Sequence, residues 1–116
     1  MKPSEGTDRD TLRDMLEAGA DAIEFTQGIR HEQFLADRQR MRAAAFSLAI
    51  LGEAVKRLTP EFRTRHPEIP WQDIAGVRDR LIHGYDTIQW KLVWDAATVD
   101  VPPLLEQLRA IQSRLD

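Results

Sequence analysis

Cysteine is absent from the chain, and with it every disulfide, zinc-thiolate or thiol-nucleophile chemistry. No apolar run approaches the roughly 18 residues of a membrane span, and the opening Met1-Lys2-Pro3-Ser4-Glu5-Gly6 has no apolar signal core. A soluble protein of the cytoplasm is therefore expected. There is no Gly-rich phosphate loop, no cluster of metal ligands, no internal repeat and no low-complexity segment, so neither a cofactor nor a metal is expected. Positive charge is not in excess either, and a net charge of −3 argues against a general nucleic-acid coat protein. Its distribution is less even. Between Arg38 and His66 seven basic residues (Arg38, Arg40, Arg42, Lys56, Arg57, Arg63, Arg65) face only Glu53 and Glu61. Such a local excess suits guidance of a phosphate backbone, and equally an ordinary solvated helix surface.

What the 116 residues do contain is helical periodicity enough for one domain with a sizeable core. A first helix is expected from about Asp8 to Gln27, with Leu12, Met15, Leu16, Gly19, Ala22, Ile23 and Thr26 on one face and Gly28 as a left-handed stop. His31 falls in the connection, where solvent exposure is expected. A long second helix runs from about Glu32 or Phe34 to Leu58 and is apolar on two sides. Met41, Leu48, Leu51 and Val55 share one side, Phe46 and Ile50 the other, so it sits centrally or also faces a second subunit. Thr59-Pro60 caps a short third helix ending at His66-Pro67, where His66 reads as structural. Pro70 opens the next helix, with Trp71 as a core anchor. Asp86 or Thr87, the former paired with Gln89, is expected to cap a helix from Ile88 to Val99 carrying a Trp90–Trp94 ridge. Asp100 should then cap a last helix that holds Pro102 and Pro103 in its first turn. The expected architecture is an all-α, up-down bundle of five or six helices, with 1–6 a disordered N-terminus and 7–116 the domain.

The candidate chemistry lies in Arg78-Asp79-Arg80-Leu81-Ile82-His83-Gly84-Tyr85. Trp71, Ile74, Ala75, Val77, Leu81 and Ile82 make the buried stripe of a helix, and position 78 continues that stripe, yet it is Arg. A guanidinium there keeps its charge and requires a carboxylate, a carbonyl or an anionic ligand beside it. Glu53 can be that partner, or it can pair with Arg57 four residues on. His83, five residues after Arg78, is rotated from it by about 140° in a regular helix. Asp79 shares the face of His83 and can orient the imidazole. Gly84 offers a helix stop that leaves His83 and Tyr85 in the exit turn. An imidazole can exchange a proton at neutral pH, a guanidinium can hold a phosphate through its transition state, and a phenol can donate a hydrogen bond or accept a transferred group. Together these suit attack of a ribose 2'-hydroxyl on its own phosphodiester without a metal. Arg, His and Tyr in eight residues are also compatible with a capped helix carrying a paired Arg and no chemistry.

The run Arg78-x4-His83-x-Tyr85, with Asp79 after the Arg, resembles the signature of the HEPN superfamily, and specifically of HepT, the toxin of HepT/MntA toxin-antitoxin modules. The similarity extends through Arg9-Asp10-x-Leu12-x-Asp14-Met15-Leu16-Glu17-Ala18, Phe34-Leu35-Ala36-Asp37-Arg38, Ile50-Leu51-Gly52-Glu53-Ala54, Pro67-Glu68-Ile69-Pro70-Trp71 and Val93-Trp94-Asp95, leaving out only the first half-dozen residues. The resemblance implies a small helical homodimer that cleaves RNA without metal, with Arg78 and His83 as the catalytic pair. It also implies a nucleotidyltransferase antitoxin, MntA-like, that silences the toxin by adding AMP to Tyr85. Because Arg78 and His83 point to different sides of one helix, two copies are expected to pair near the motif helices and form a composite cleft. Two alternatives remain open: a catalytically silent module that binds, and is modified by, a nucleotidyltransferase, and a purely structural helical dimer.

Overall fold

The computed structural model describes residues 5–115, apart from the side chains of Glu5 and Tyr85. The expected disordered segment therefore falls largely outside the described residues. The first helix, α1 (Glu5–Thr26), starts three residues before the expected Asp8. Its end is as expected. Gly28 has φ +78°, a left-handed conformation that a Cβ would strain, and it turns the chain back. Asp8 is buried at the start of α1, where it accepts hydrogen bonds from the Thr59 amide (3.0 Å) and hydroxyl (2.7 Å).

The long second helix is two helices, α2 (His31–Leu35) and α3 (Arg38–Arg57). The break falls at Ala36-Asp37 because Asp37 caps α3, its carboxylate accepting from the Arg40 amide at 3.1 Å. That local bond outcompetes continuation of the helix. His31 is half-buried at the head of α2 rather than exposed in a loop, its ring 5.4 Å from that of Trp94. As expected, α3 is central. It packs against α1 on one side and α5 on another, yet Phe46 stays 67% exposed, so one side of α3 has no cover within the chain.

Thr59 caps α4 (Pro60–Arg65) by accepting from the Phe62 amide, with Pro60 at the first position. The buried Trp71 opens α5 (Trp71–His83) and donates its indole N–H to the Arg63 and His66 carbonyls, tying the end of α4 to the motif helix. After α5 comes a 3-10 turn, Tyr85–Thr87, which contains Asp86; the expected Asp86–Gln89 capping pair does not form.

The last third of the chain departs most from expectation. α6 (Trp90–Asp95) passes through a π turn (Ala96–Asp100) straight into α7 (Val101–Leu115), without the expected break and cap at Asp100. Pro102 and Pro103 explain this. Each lacks the N–H for the bond to the residue four back, and the wider turn relieves the ring clash with that residue's carbonyl. Inside the turn the Thr98 hydroxyl donates to the Trp94 carbonyl at 2.7 Å. With α6 and α7 continuous, the described residues form six helical rods and no strand, the all-α bundle expected. The core runs between α1, α3 and α7 through Leu12, Met15, Leu48, Val55, Leu105, Leu108 and Ile111. Each such side chain contributes about 1.5–3 kcal/mol by leaving water. No helix among the described residues is long and apolar enough to cross a membrane.

Candidate active site

The site is built where α5 crosses α3. Gly52 is the contact point: a Cβ there would lie 2.4 Å from the Arg78 Cβ and 2.8 Å from the Ile74 carbonyl oxygen, so only glycine lets the helices meet this closely. The crossing sets Arg78 beside the last turns of α3. Its side chain is 24% exposed, partly buried as the stripe predicts.

Two carboxylates hold the guanidinium. Glu53 Oε1 lies 2.9 Å from Nε in an ion pair, and Asp79 accepts a hydrogen bond from Nη1 at 3.2 Å. The open choice for Glu53 thus falls to Arg78, and Arg57 instead faces Asp14 at 3.7 Å. Glu53 itself remains 49% exposed, so the pair sits at the rim of the interface rather than deep inside it. Asp79 does not orient His83. Its Oδ1 accepts from Lys56 Nζ at 2.5 Å as well as from Arg78, because the α3–α5 crossing brings Lys56 onto it, and no hydrogen bond joins it to His83. The Lys56 ammonium lowers the Asp79 pKa from its ordinary 3.8, partial loss of solvation opposes that shift, and the Arg78 guanidinium adds to it.

Arg78 opens onto a shallow hollow whose other walls are Ala49, Ile50, Glu53, Arg57 and Ile82. Ile82 in its wall is 47% exposed although the periodicity placed it in the buried stripe, and Phe46, one turn before Ile50 on α3, also stands exposed. His83 does not line this hollow. It ends α5, exposed, with no hydrogen bond or ion pair from any described residue. Gly84 stops the helix, though with φ −116° rather than a left-handed turn; its amide donates to the Arg80 carbonyl at 3.0 Å and its carbonyl accepts from Thr87 N–H at 2.8 Å. The backbone of Tyr85 follows in the 3-10 turn, while its side chain lies outside what the structure describes.

Of the five residues singled out from the sequence, the fold joins Glu53, Arg78 and Asp79 into one network and leaves His83 apart at the helix end. Lys56 and Gly52 were not foreseen. The basic run contained Lys56, but nothing in linear spacing points it at Asp79.

Residues 15–111 match the model of the HepT-like family, described as Ribonuclease HepT-like. The chain belongs to the HepT-like ribonuclease family. The sequence-based assignment to a ribonuclease of this type is thereby met. Among relatives, "Putative RNase TTE0752" of Caldanaerobacter subterraneus subsp. tengcongensis is 40% identical over 90% of this chain and 94% of its own. "Probable ribonuclease HepT" of Thermococcus cleftensis is 39% identical over 87% and 94%, and "Putative RNase MJ0127" of Methanocaldococcus jannaschii 37% over 86% and 83%. No solved structure matches this HepT-like chain significantly.

Proposed function

We propose that this HepT-like chain is a metal-independent endoribonuclease and the toxin of a cytoplasmic toxin-antitoxin pair. The observation that carries the proposal is Arg78, a partly buried guanidinium clamped by Glu53 and Asp79 on the wall of a hollow, five residues before a solvent-facing His83. Arg78 holds the scissile phosphate and the charge that grows on it. His83 takes the proton of the ribose 2'-hydroxyl, whose oxygen attacks the adjacent phosphorus. The bond to the 5'-oxygen of the next nucleotide breaks, that oxygen takes up a proton, and a cyclic 2',3'-phosphate remains. Glu53 and Asp79 position Arg78.

A second copy completes the site. Arg78 opens to the uncovered side of α3 and His83 stands at the helix end, so one chain presents them to different directions. The exposed Phe46 and Ile82 are apolar surface that a symmetric partner would bury. A monomer in light scattering at micromolar concentration would remove this part of the proposal.

Tyr85, two residues beyond His83, is the acceptor for AMP. An MntA-like nucleotidyltransferase antitoxin transfers AMP from ATP to the phenol oxygen and releases pyrophosphate. The adduct puts a negative phosphodiester and a nucleoside beside His83, where RNA is to bind. Incubating unmodified, partner-free protein with RNA in chelator, beside H83A and R78A, tests the whole. Cleavage by the wild type alone supports it, and cleavage by either variant at the wild-type rate refutes the assigned roles.

One observation favours a second reading, a catalytically silent module that binds and is modified by a nucleotidyltransferase. Two nitrogens of Arg78 are already engaged by carboxylates. Under that reading the unmodified wild type leaves RNA intact.

A further inference from the structure

We propose that Arg57 is a second phosphate-binding residue, which takes an RNA phosphate next to the scissile one; this rests on the ribonuclease reading above. Two guanidinium groups line the hollow, Arg57 and Arg78, and their partners differ. Arg78 is held by two carboxylates, Glu53 in an ion pair at 2.9 Å and Asp79 through a hydrogen bond at 3.2 Å. Among the described residues Arg57 pairs only with Asp14 of α1, with Nη2 and Oδ2 at 3.7 Å, beyond hydrogen-bonding distance, and both side chains are more than half exposed. An exposed pair of that length contributes little, so a phosphate able to take the guanidinium through two N–H donors displaces it readily.

Position along α3 gives the second part of the argument. Arg57 lies one helical turn, ~6 Å, beyond Glu53, the residue that fixes Arg78. A backbone whose scissile phosphate sits on Arg78 therefore meets Arg57 as it continues along the same wall. Lys56, the neighbouring cation, does not line the hollow and is bonded to Asp79. Glu53 is occupied by Arg78, which leaves Arg57 as the hollow's loosely held cation. The two guanidiniums thus divide the work: Arg78 stabilises the reacting phosphorus, whereas Arg57 contributes binding that is the same in ground and transition states.

The test is the salt dependence of binding to a fluorescein-labelled, 2'-O-methylated RNA oligonucleotide, which cannot be cleaved, together with KM and kcat on the unmethylated RNA. R57Q should weaken binding roughly tenfold and reduce the slope of log affinity against log salt by about 0.7, one single-strand phosphate contact. The loss should appear in KM, with kcat changed less than about twofold. R57K should restore most of the slope, and D14N, which frees Arg57, should tighten binding by about two- to threefold. A merely structural Arg57 would lower the Tm and leave the slope unchanged. If the wild type binds and cuts RNA but R57Q keeps the wild-type slope, or loses kcat instead of KM, this inference fails alone. A wild type that neither binds this oligonucleotide nor cuts the unmethylated RNA overturns both it and the ribonuclease proposal.

Discussion

The Arg78 and His83 ends of α5 are built in opposite ways. At Arg78 the helix touches α3 so closely that Gly52 has no room for a methyl group, and Glu53, Asp79 and Lys56 form a chain of ion pairs around the guanidinium. At His83, little more than one turn later, the side chain is exposed and no described residue bonds to it. One end is held in place by ion pairs, and the other is open to solvent. A cation that must meet a phosphate gains from being fixed in advance, since a preoriented charge needs no reorganisation during the reaction. An imidazole that must exchange protons with substrate gains from remaining accessible.

The sharpest way to test this contrast is to remove each group. H83A should lower cleavage by roughly a hundred- to ten-thousand-fold. Because no described residue bonds to the ring, its Tm should match the wild type. R78A should lower cleavage by about a hundred- to a thousandfold and, unlike H83A, should also lower the Tm, since it takes the ion-pair partner from Glu53 and leaves Asp79 with Lys56 alone. Equal thermal stabilities for the two variants would erase the distinction between the ends.

G52A strikes the Arg78 end without altering its chemistry. Forcing α3 and α5 apart should destabilise the fold by about 1–3 kcal/mol in denaturant unfolding, and should depress cleavage by displacing Arg78. The smallest effect is expected from K56Q. In NMR titration the Asp79 carboxyl of the wild type should titrate below 3.8 and return towards it in K56Q. The sign for stability follows from the lowered value. The Asp79 contribution is fully present above the unfolded carboxyl's pKa and is lost as the pH falls through the lower folded one. Acid unfolding of wild type and K56Q should therefore diverge above that range and converge below it.

Much of this was legible before any coordinates. Thr59-Pro60, Gly28 and Gly84 mark helix boundaries because capping and left-handed turns depend on one or two residues. The Arg in the α5 stripe was visible because burial repeats every three to four residues. Three of the features missed involve competition that periodicity does not register. Asp37 broke a helix that reads as continuous. Pro102 and Pro103 widened a turn instead of starting a new helix. Ile82 lay in the apolar stripe but on the side where α3 has no further neighbour, so it stayed exposed.

The chain order alone determined that this protein is a helical bundle and that an Arg, a His and a Tyr follow one another within eight residues at the end of one helix. Those properties follow from the local repeat of the helix and the residues that stop it. Which carboxylates grip Arg78, that Asp79 serves the guanidinium and not His83, and which basic side chains stay loosely held were decided only by the tertiary structure. The reason is that Glu53–Arg78 and Lys56–Asp79 cross from α3 to α5, and their register is set by the approach of the two helices at Gly52, a contact between residues distant in the chain.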